Sequence, residues 1–166
     1  CWLPWRVRPV AAASRTARLT ASTGDAEALR NGVDRPVGDA ANLWCAPFGE
    51  AWAAYRFDGD TPLESARLVF DSDLNRKEKN MPHGYPLDAP PWRTPRTLVR
   101  DFSLETCGAD GVWRTAARVA DNRQRLVRLP LQTRCRGVRL VPGRAWGSGE
   151  ARVFAFEVTA AGAQGG

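Results

Sequence analysis

The chain has 166 residues, enough for one domain with a substantial apolar core and short for two. Hydrophobic residues make up 43% and charged residues 25%, as in globular proteins, and no stretch approaches the ~18 apolar residues of a membrane span. The net charge of +6 comes mostly from arginines spread along the chain rather than collected in one stripe. We therefore expect neither a nucleic acid nor a membrane as partner.

The first residues, 1–18, show no alternation of apolar and polar side chains and include Pro4 and Pro9. They are predicted to be a linker from a preceding domain, so that the chain is a piece of a longer protein. The folded domain is predicted at residues 19–159. Residues 160–166, which are rich in Ala and Gly, are predicted to be a flexible tail.

Within the folded domain, strands are predicted where apolar and polar residues alternate between clusters of Gly, Asp and Pro. In one of them, Phe102 and Leu104 alternate with Ser103 and Glu105. The predicted strands lie at 17–22, 43–46, 51–57, 65–70, 100–106, 112–114, 125–131, 137–141 and 152–158. Short strands that are broken by turn residues this often predict an all-β antiparallel sandwich or barrel.

Regular patterning stops between residues 71 and 97. Unstructured loops of this length are uncommon inside a compact domain, and they are usually either functional or disordered. Tyr85 and Trp92 give this loop aromatic side chains with which it can be ordered. We therefore expect recognition to take place here rather than on the strands.

Residue types needed for catalysis are scarce. The single histidine, His83, makes acid–base and nucleophilic constellations hard to assemble, and no nucleophile elbow or phosphate-binding glycine loop occurs. Asp71 and Asp73 follow a predicted strand, where they could form a carboxylate pair or, as is commoner, a turn. We predict that this domain is not an enzyme.

Sugar binding is better supported by the residues of the loops. A pyranose is recognised by an aromatic face together with planar polar side chains that bind its hydroxyl groups. The candidate ligand-binding residues are Arg76, His83, Tyr85, Trp92 and Trp146. For the two tryptophans, packing in the core remains an equal alternative.

The four cysteines show no metal-ligand spacing. Cys107 and Cys135 lie at the ends of predicted strands, so they can form a disulfide if those strands are neighbours. Buried free thiols are the alternative.

Several segments together carry a resemblance to a known family. They are Leu19-Thr-Ala-Ser-Thr23, Arg30-Asn-Gly-Val-Asp-Arg-Pro36, Asn42-Leu-Trp-Cys-Ala-Pro47, Leu68-Val-Phe-Asp-Ser-Asp-Leu-Asn-Arg76 and Asp121-Asn-Arg-Gln-Arg-Leu-Val127. The set resembles discoidin (coagulation factor 5/8 type C) domains of the galactose-binding-like class. It is most similar to the C-terminal domain of bacterial FAD-dependent oxidoreductases.

This resemblance implies an eight-stranded antiparallel jelly-roll β-sandwich whose end loops hold a glycan. It also implies an intramolecular partner domain that carries the flavin, because no dinucleotide-binding glycine motif occurs in these residues. Many members of the class hold a structural Ca²⁺ at an Asp-Gly turn and at a Glu of the last strand. Here the turn reads Asn31-Gly32 and the Glu position is Ala155, which leaves Asn31 and Asp34 as weak candidate ligands for Ca²⁺.

Three functions stay open on these grounds. The first is a carbohydrate-binding module, and the second is a structural accessory domain that packs against a catalytic partner and binds no ligand. The third is binding to acidic polymers through the arginines. The residues do not decide between a cytoplasmic and a secreted location.

Overall fold

The computed structural model describes residues 7–73 and 94–162. A short α-helix, α1, spans Ala12–Thr16, and a 3-10 helix spans Ala26–Arg30. The strands of the described residues are β1 (Arg18–Ala21), β2 (Trp44–Pro47), β3 (Ala53–Phe70), β4 (Val99–Cys107), β5 (Trp113–Val119), β6 (Leu126–Ala145) and β7 (Glu150–Ala160). Every pairing between them is antiparallel.

Two long strands, β3 and β6, run through both layers of a sandwich. The first half of β3 pairs with β1 and with β6. In the same layer β6 pairs with β4, and β4 pairs with β5 at the edge. The second half of β3 lies between β6 and β7, and β2 follows at the edge. Between these halves, residues 57–60 of β3 lie opposite the single residue Arg136. A bulge of this kind bends a strand and lets it cross from one sheet to the other.

The all-β antiparallel sandwich predicted from the sequence is confirmed. The segments 51–57 and 65–70, however, are one continuous strand, and 125–131 and 137–141 belong to another. The turn-forming residues Asp58, Gly59 and Asp60 belong to the bulge in β3 instead of forming a loop. The described residues contain seven strands, so the number eight and the jelly-roll connectivity stay predictions.

The core lies between the two layers. The ring of Tyr55, from the first half of β3, lies 5.2 Å from that of Phe156 in β7. Phe70 and Phe102 make a similar contact at 5.0 Å, and all four side chains are buried. The Tyr55 hydroxyl donates a hydrogen bond to the Phe156 carbonyl at 2.7 Å, so its polar end is satisfied within the core.

Residues 7–18, predicted as part of a linker, lie against the sandwich. Ser14 of α1 is fully buried, and its hydroxyl accepts the Val158 N–H at 2.6 Å and lies 3.2 Å from the Val158 carbonyl. It thereby satisfies backbone groups of β7 beyond the reach of β2. The N-terminal segment is therefore part of the folded unit, and its connection to a preceding domain stays a prediction.

The cysteines of the described residues are free thiols. A disulfide between Cys107 and Cys135 would require their strands to be neighbours, and β4 and β6 are paired. Cys107, however, lies opposite Gly137 rather than opposite Cys135. Such diagonal neighbours are about 7–8 Å apart, beyond the usual Cα separation of a disulfide. Among the described residues, no helix is long and apolar enough to span a membrane.

Candidate functional site

Several loops meet at one end of the sandwich, where β3 ends and β4, β6 and β7 begin. The described parts of this loop end are residues 71–73, 94–98, 120–125 and 146–149. Backbone hydrogen bonds join them: the Trp146 N–H donates to the Leu98 carbonyl at 3.1 Å, and the Gly147 N–H donates to the Arg96 carbonyl at 2.9 Å. The loop end is therefore held as one connected surface.

Asn122 fixes the geometry of this surface. Its side chain is buried, and its amide donates to the carbonyls of Val99 and Gln124, both at 2.9 Å, while its carbonyl oxygen accepts the Gln124 N–H. Its backbone carbonyl accepts the indole N–H of Trp146 at 2.7 Å. The indole is therefore oriented by Asn122, whose own side chain is hydrogen-bonded within the same loop end.

The half-buried ring of Trp146 lies among guanidinium groups. The Cζ atoms of Arg100 and Arg123 lie 4.6 and 4.8 Å from the ring centroid, and both make cation–π contacts. The Arg96 side chain lies against Gly147, with its Nη2 3.3 Å from the Gly147 carbonyl. We call Trp146, Arg96, Arg100 and Arg123 the Trp146 shelf.

A cleft of about 200 Å³ opens beside the strand ends at the same end of the sandwich. Its lining combines apolar residues, including Phe154 and Leu43, with Asp71, Asp73 and Arg152. Phe154 falls at a register shift between β3 and β7, and such a bulge turns a side chain out of the regular alternation. The cleft is smaller than the ~300 Å³ at which drug-sized pockets begin.

Asp71 forms the turn that the sequence favoured. Its Oδ1 accepts the Asp73 N–H at 2.9 Å, and Asp73 adopts a positive φ of 56°. The Oδ2 of Asp71 lies 3.2 Å from Nε of Arg152. Since Asp71 is buried and committed to these contacts, it positions Arg152 rather than serving as one of a pair of catalytic carboxylates.

Of the predicted ligand-binding residues, the structure describes Trp146 alone. Arg76, His83, Tyr85 and Trp92 lie outside the described residues and stay predictions. Sequence reasoning missed Arg96 and Arg123 of the loops and Arg152 of β7. The position of the two arginines in loops was visible in the sequence, but their proximity to Trp146 depends on contacts between distant segments.

The candidate Ca²⁺ ligands are engaged in other contacts. The Asn31 side-chain carbonyl accepts the Val33 N–H at 2.8 Å, and its amide donates to the Asn42 side chain at 3.1 Å. The carboxylate of Asp34 is paired with Arg67. Ala155, at the position where the resemblance implies a Glu ligand, packs with Val69, Phe154 and Leu43.

The nearby cleft of about 250 Å³ beside Asn31 offers no better set of donors. Its Asp25 carboxylate accepts the Glu27 N–H, and Glu27 itself pairs with Arg30. Within the part of the chain that the structure describes, no cluster of three or more His, Cys, Asp or Glu side chains is placed to hold a metal. These residues do not fit a tight Ca²⁺ site, which needs six or more oxygen ligands.

No protein-family model matches the sequence, and no curated protein matches it. Solved structures do match. The family 32 carbohydrate-binding module of Streptococcus pneumoniae EndoD has a TM-score of 0.57 at 15% identity, covering 86% of this chain and 94% of its own. CpGH89CBM32-5 from Clostridium perfringens has a TM-score of 0.59 at 13% identity, covering 89% and 97%. A Streptococcus pneumoniae fucose-binding module has a TM-score of 0.60 at 12% identity, covering 87% and 91%.

At these identities the likeness establishes the fold. The chain shares the β-sandwich fold of these solved modules, and a β-sandwich is the fold that its sequence predicted. The loop end described above is one end of this sandwich.

Proposed function

We propose that the chain is a non-catalytic carbohydrate-binding module that holds a glycan at its loop end. The observation that carries the proposal is the match of nearly the whole chain to sugar-binding modules. One of these was solved in complex with GalNAc-β-1,3-galactose, and another is a fucose-binding module.

The chemistry of the loop end supports the same function. Sugars are held by an apolar or aromatic surface combined with planar polar groups. The cleft combines the partly exposed apolar side chain of Leu43 with the Arg152 guanidinium, and the shelf combines Trp146 with Arg96 and Arg123. No part of this arrangement requires a nucleophile or a general base.

Calorimetric titration with galactose, N-acetylgalactosamine and fucose, preceded by a glycan array, tests the proposal. We expect saturable binding with a dissociation constant of about 1 mM or tighter, which corresponds to about 4 kcal/mol. Arg152→Gln and Trp146→Phe should weaken it. Arg118→Gln, an exposed position on β5, serves as the matched control. If no glycan binds at millimolar concentration, the proposal fails.

The predicted contacts from the long loop are tested in the same assay. Arg76, His83, Tyr85 and Trp92 are proposed as ligand contacts, so replacing each by alanine should lower the affinity. Because they are proposed to touch the ligand rather than hold the fold, the unfolding midpoint should stay unchanged. A variant that loses stability and affinity together would assign that residue to packing.

We also propose a place for the module in a larger protein, as the C-terminal accessory domain of a bacterial enzyme, with an FAD-dependent oxidoreductase as parent. The sequence resemblance supports this, and the exposed apolar side chains of Val7, Val37 and Leu126 are candidates for the contact with the parent enzyme. In the full-length protein, Val7→Ser with Leu126→Ser should lower the unfolding midpoint of the catalytic domain. The same changes should leave the isolated module unaffected. If that module bound no glycan while this effect appeared, it would be a purely structural domain.

A further inference from the structure

We infer that the glycan bound at the loop end is acidic and that a carboxylate or sulfate of the sugar is bound between Arg96 and Arg123 on the Trp146 shelf. This inference deepens the proposed function and rests on it. It concerns the class of the ligand, which the fold does not determine.

The first step is the charge of the shelf. Arg100 is neutralised, because it pairs with Asp121 and lies 3.9 Å from Asp101. Arg96 and Arg123 have no carboxylate within ion-pair distance among residues 7–73 and 94–162. Both are exposed, so the shelf presents two uncompensated positive charges, one on the Trp146 ring and the other against Gly147.

The second step is the contrast with arginines that hold the fold. Arg67 is paired with Asp34, Arg139 with Glu105 and Arg152 with Asp71. These three arginines hold parts of the fold, and each of them is accompanied by a carboxylate. Arg123 reaches the segment that carries Arg96, since its Nη1 lies 3.4 Å from the hydroxyl of Thr94, two residues before Arg96. Like charges on one surface repel each other, and an anion placed between them relieves that repulsion.

The third step is the set of contacts that the two guanidinium groups make. Arg123 is stacked on the Trp146 ring, and its Nη1 lies 3.4 Å from the Thr94 hydroxyl. Arg96 uses Nη2 to reach the Gly147 carbonyl. Each guanidinium has five N–H donors, of which these contacts use one. A planar fork whose remaining donors are free matches the paired oxygens of a carboxylate or sulfate.

Matched ligands separate the charge from the sugar. Calorimetric titration at physiological ionic strength would compare oligogalacturonate with its methyl ester, which is the same sugar chain without the charge. A neutral galactose oligosaccharide and its sulfated form complete the set and tell carboxylate from sulfate. Since hydrogen bonds to charged groups are stronger than those to neutral groups, we expect at least one acidic form to bind about tenfold more tightly than its uncharged counterpart.

Matched variants separate the site from general attraction. The double variant Arg96→Gln/Arg123→Gln should lose most of that preference. Arg118→Gln/Arg128→Gln removes the same charge from exposed positions on β5 and β6 and should keep it. Circular dichroism checks that both variants are folded.

Three outcomes overturn the inference. Equal binding of charged and uncharged forms removes it while leaving the carbohydrate-binding function in place. An equal loss in both double variants assigns the preference to the net charge of the protein. Absence of binding to every glycan defeats the inference and the proposed function together.

Discussion

Arg67 joins two carboxylates from distant parts of the chain: its Nη1 lies 3.2 Å from Oδ1 of Asp34 and 3.5 Å from Oε1 of Glu157. Glu157 is almost fully buried and is also paired with Arg8. Asp34 belongs to the loop that follows the 3-10 helix, and Arg8 to the N-terminal segment. A single cluster on the face of β3 and β7 therefore fastens two irregular segments to the sandwich.

Replacing Arg67 by methionine tests this cluster. The change leaves the buried Glu157 with one cation instead of two, and breaking a buried ion pair costs about 3–5 kcal/mol. Because Arg8 remains, we expect the free energy of unfolding to fall by about 2–4 kcal/mol in urea denaturation.

Arg128→Met is the control for that experiment. Arg128 lies directly opposite Arg67 on β6, is exposed, and makes no ion pair within the described residues. Its replacement should change the free energy of unfolding by no more than about 0.5 kcal/mol. If the two variants were equally stable, the cluster would contribute nothing specific.

Calcium should not stabilise the protein. The loop that the resemblance assigns to Ca²⁺ is closed by Asp34–Arg67 and by the contact of Asn31 with Asn42, so carboxylate oxygens are not free to bind the ion. A site filled to 100 times its dissociation constant would add about 2.7 kcal/mol. We expect the thermal midpoint to be the same in millimolar calcium and in EDTA. A rise of several degrees in calcium would show that Asn31 and Asp34 rearrange to bind it.

The sequence predicted the strands better than the site. Alternation located β4 and β7 to within two residues at each end, because each strand has one face in the core. It failed between residues 57 and 61, where Asp58 and Gly59 indicate a turn although the strand passes through as a bulge. Local patterns cannot distinguish these outcomes, since pairing with β6 decides between them.

The same limit applies to the site. Trp146 was predicted as a candidate because it lies in a loop between two strands. Its contacts with Asn122 and Arg123 join residues more than 20 positions apart, and the contact of Ser14 with Val158 spans 144 positions. Contacts between residues so far apart in sequence follow from the packing of the whole sandwich. The residues adjacent to each partner in sequence do not predict them.

Glu157 should make stability depend on pH. Burial raises the pKa of its carboxyl above the ordinary 4.5, although Arg8 and Arg67 partly oppose this. The folded state therefore holds the proton more tightly than the unfolded state. The stabilisation that comes from the tighter proton binding of Glu157 is complete below pH 4.5, and it is lost as the pH rises through the folded-state pKa.

Glu157→Gln, which stays neutral, isolates this effect. Urea denaturation of both proteins between pH 4.5 and neutrality should show the stability of the wild type falling relative to the variant as the pH rises. Asp101 does not confuse the comparison, because a backbone hydrogen bond from Asp121 lowers the pKa of its carboxyl. The stabilisation by the ionised Asp101 carboxylate is lost only when the pH falls. A difference that moved in favour of the wild type would contradict the assignment.

Two glycines test whether residues 7–8 are packed on the sandwich. Gly32 and Gly38 both have positive φ, 76° and 56°, so an alanine at either position incurs backbone strain of about 1 kcal/mol. A Cβ at Gly38 meets open space, whereas one at Gly32 would lie 2.7 Å from Cγ1 of Val7 and collide with the Arg8 carbonyl. Gly32→Ala should therefore cost at least about 2 kcal/mol more than Gly38→Ala in urea denaturation. It should also speed tryptic cleavage after Arg15, because the N-terminal segment would be displaced. Equal stability and equal cleavage of the two variants would mean that this segment is not held against the Gly32 turn.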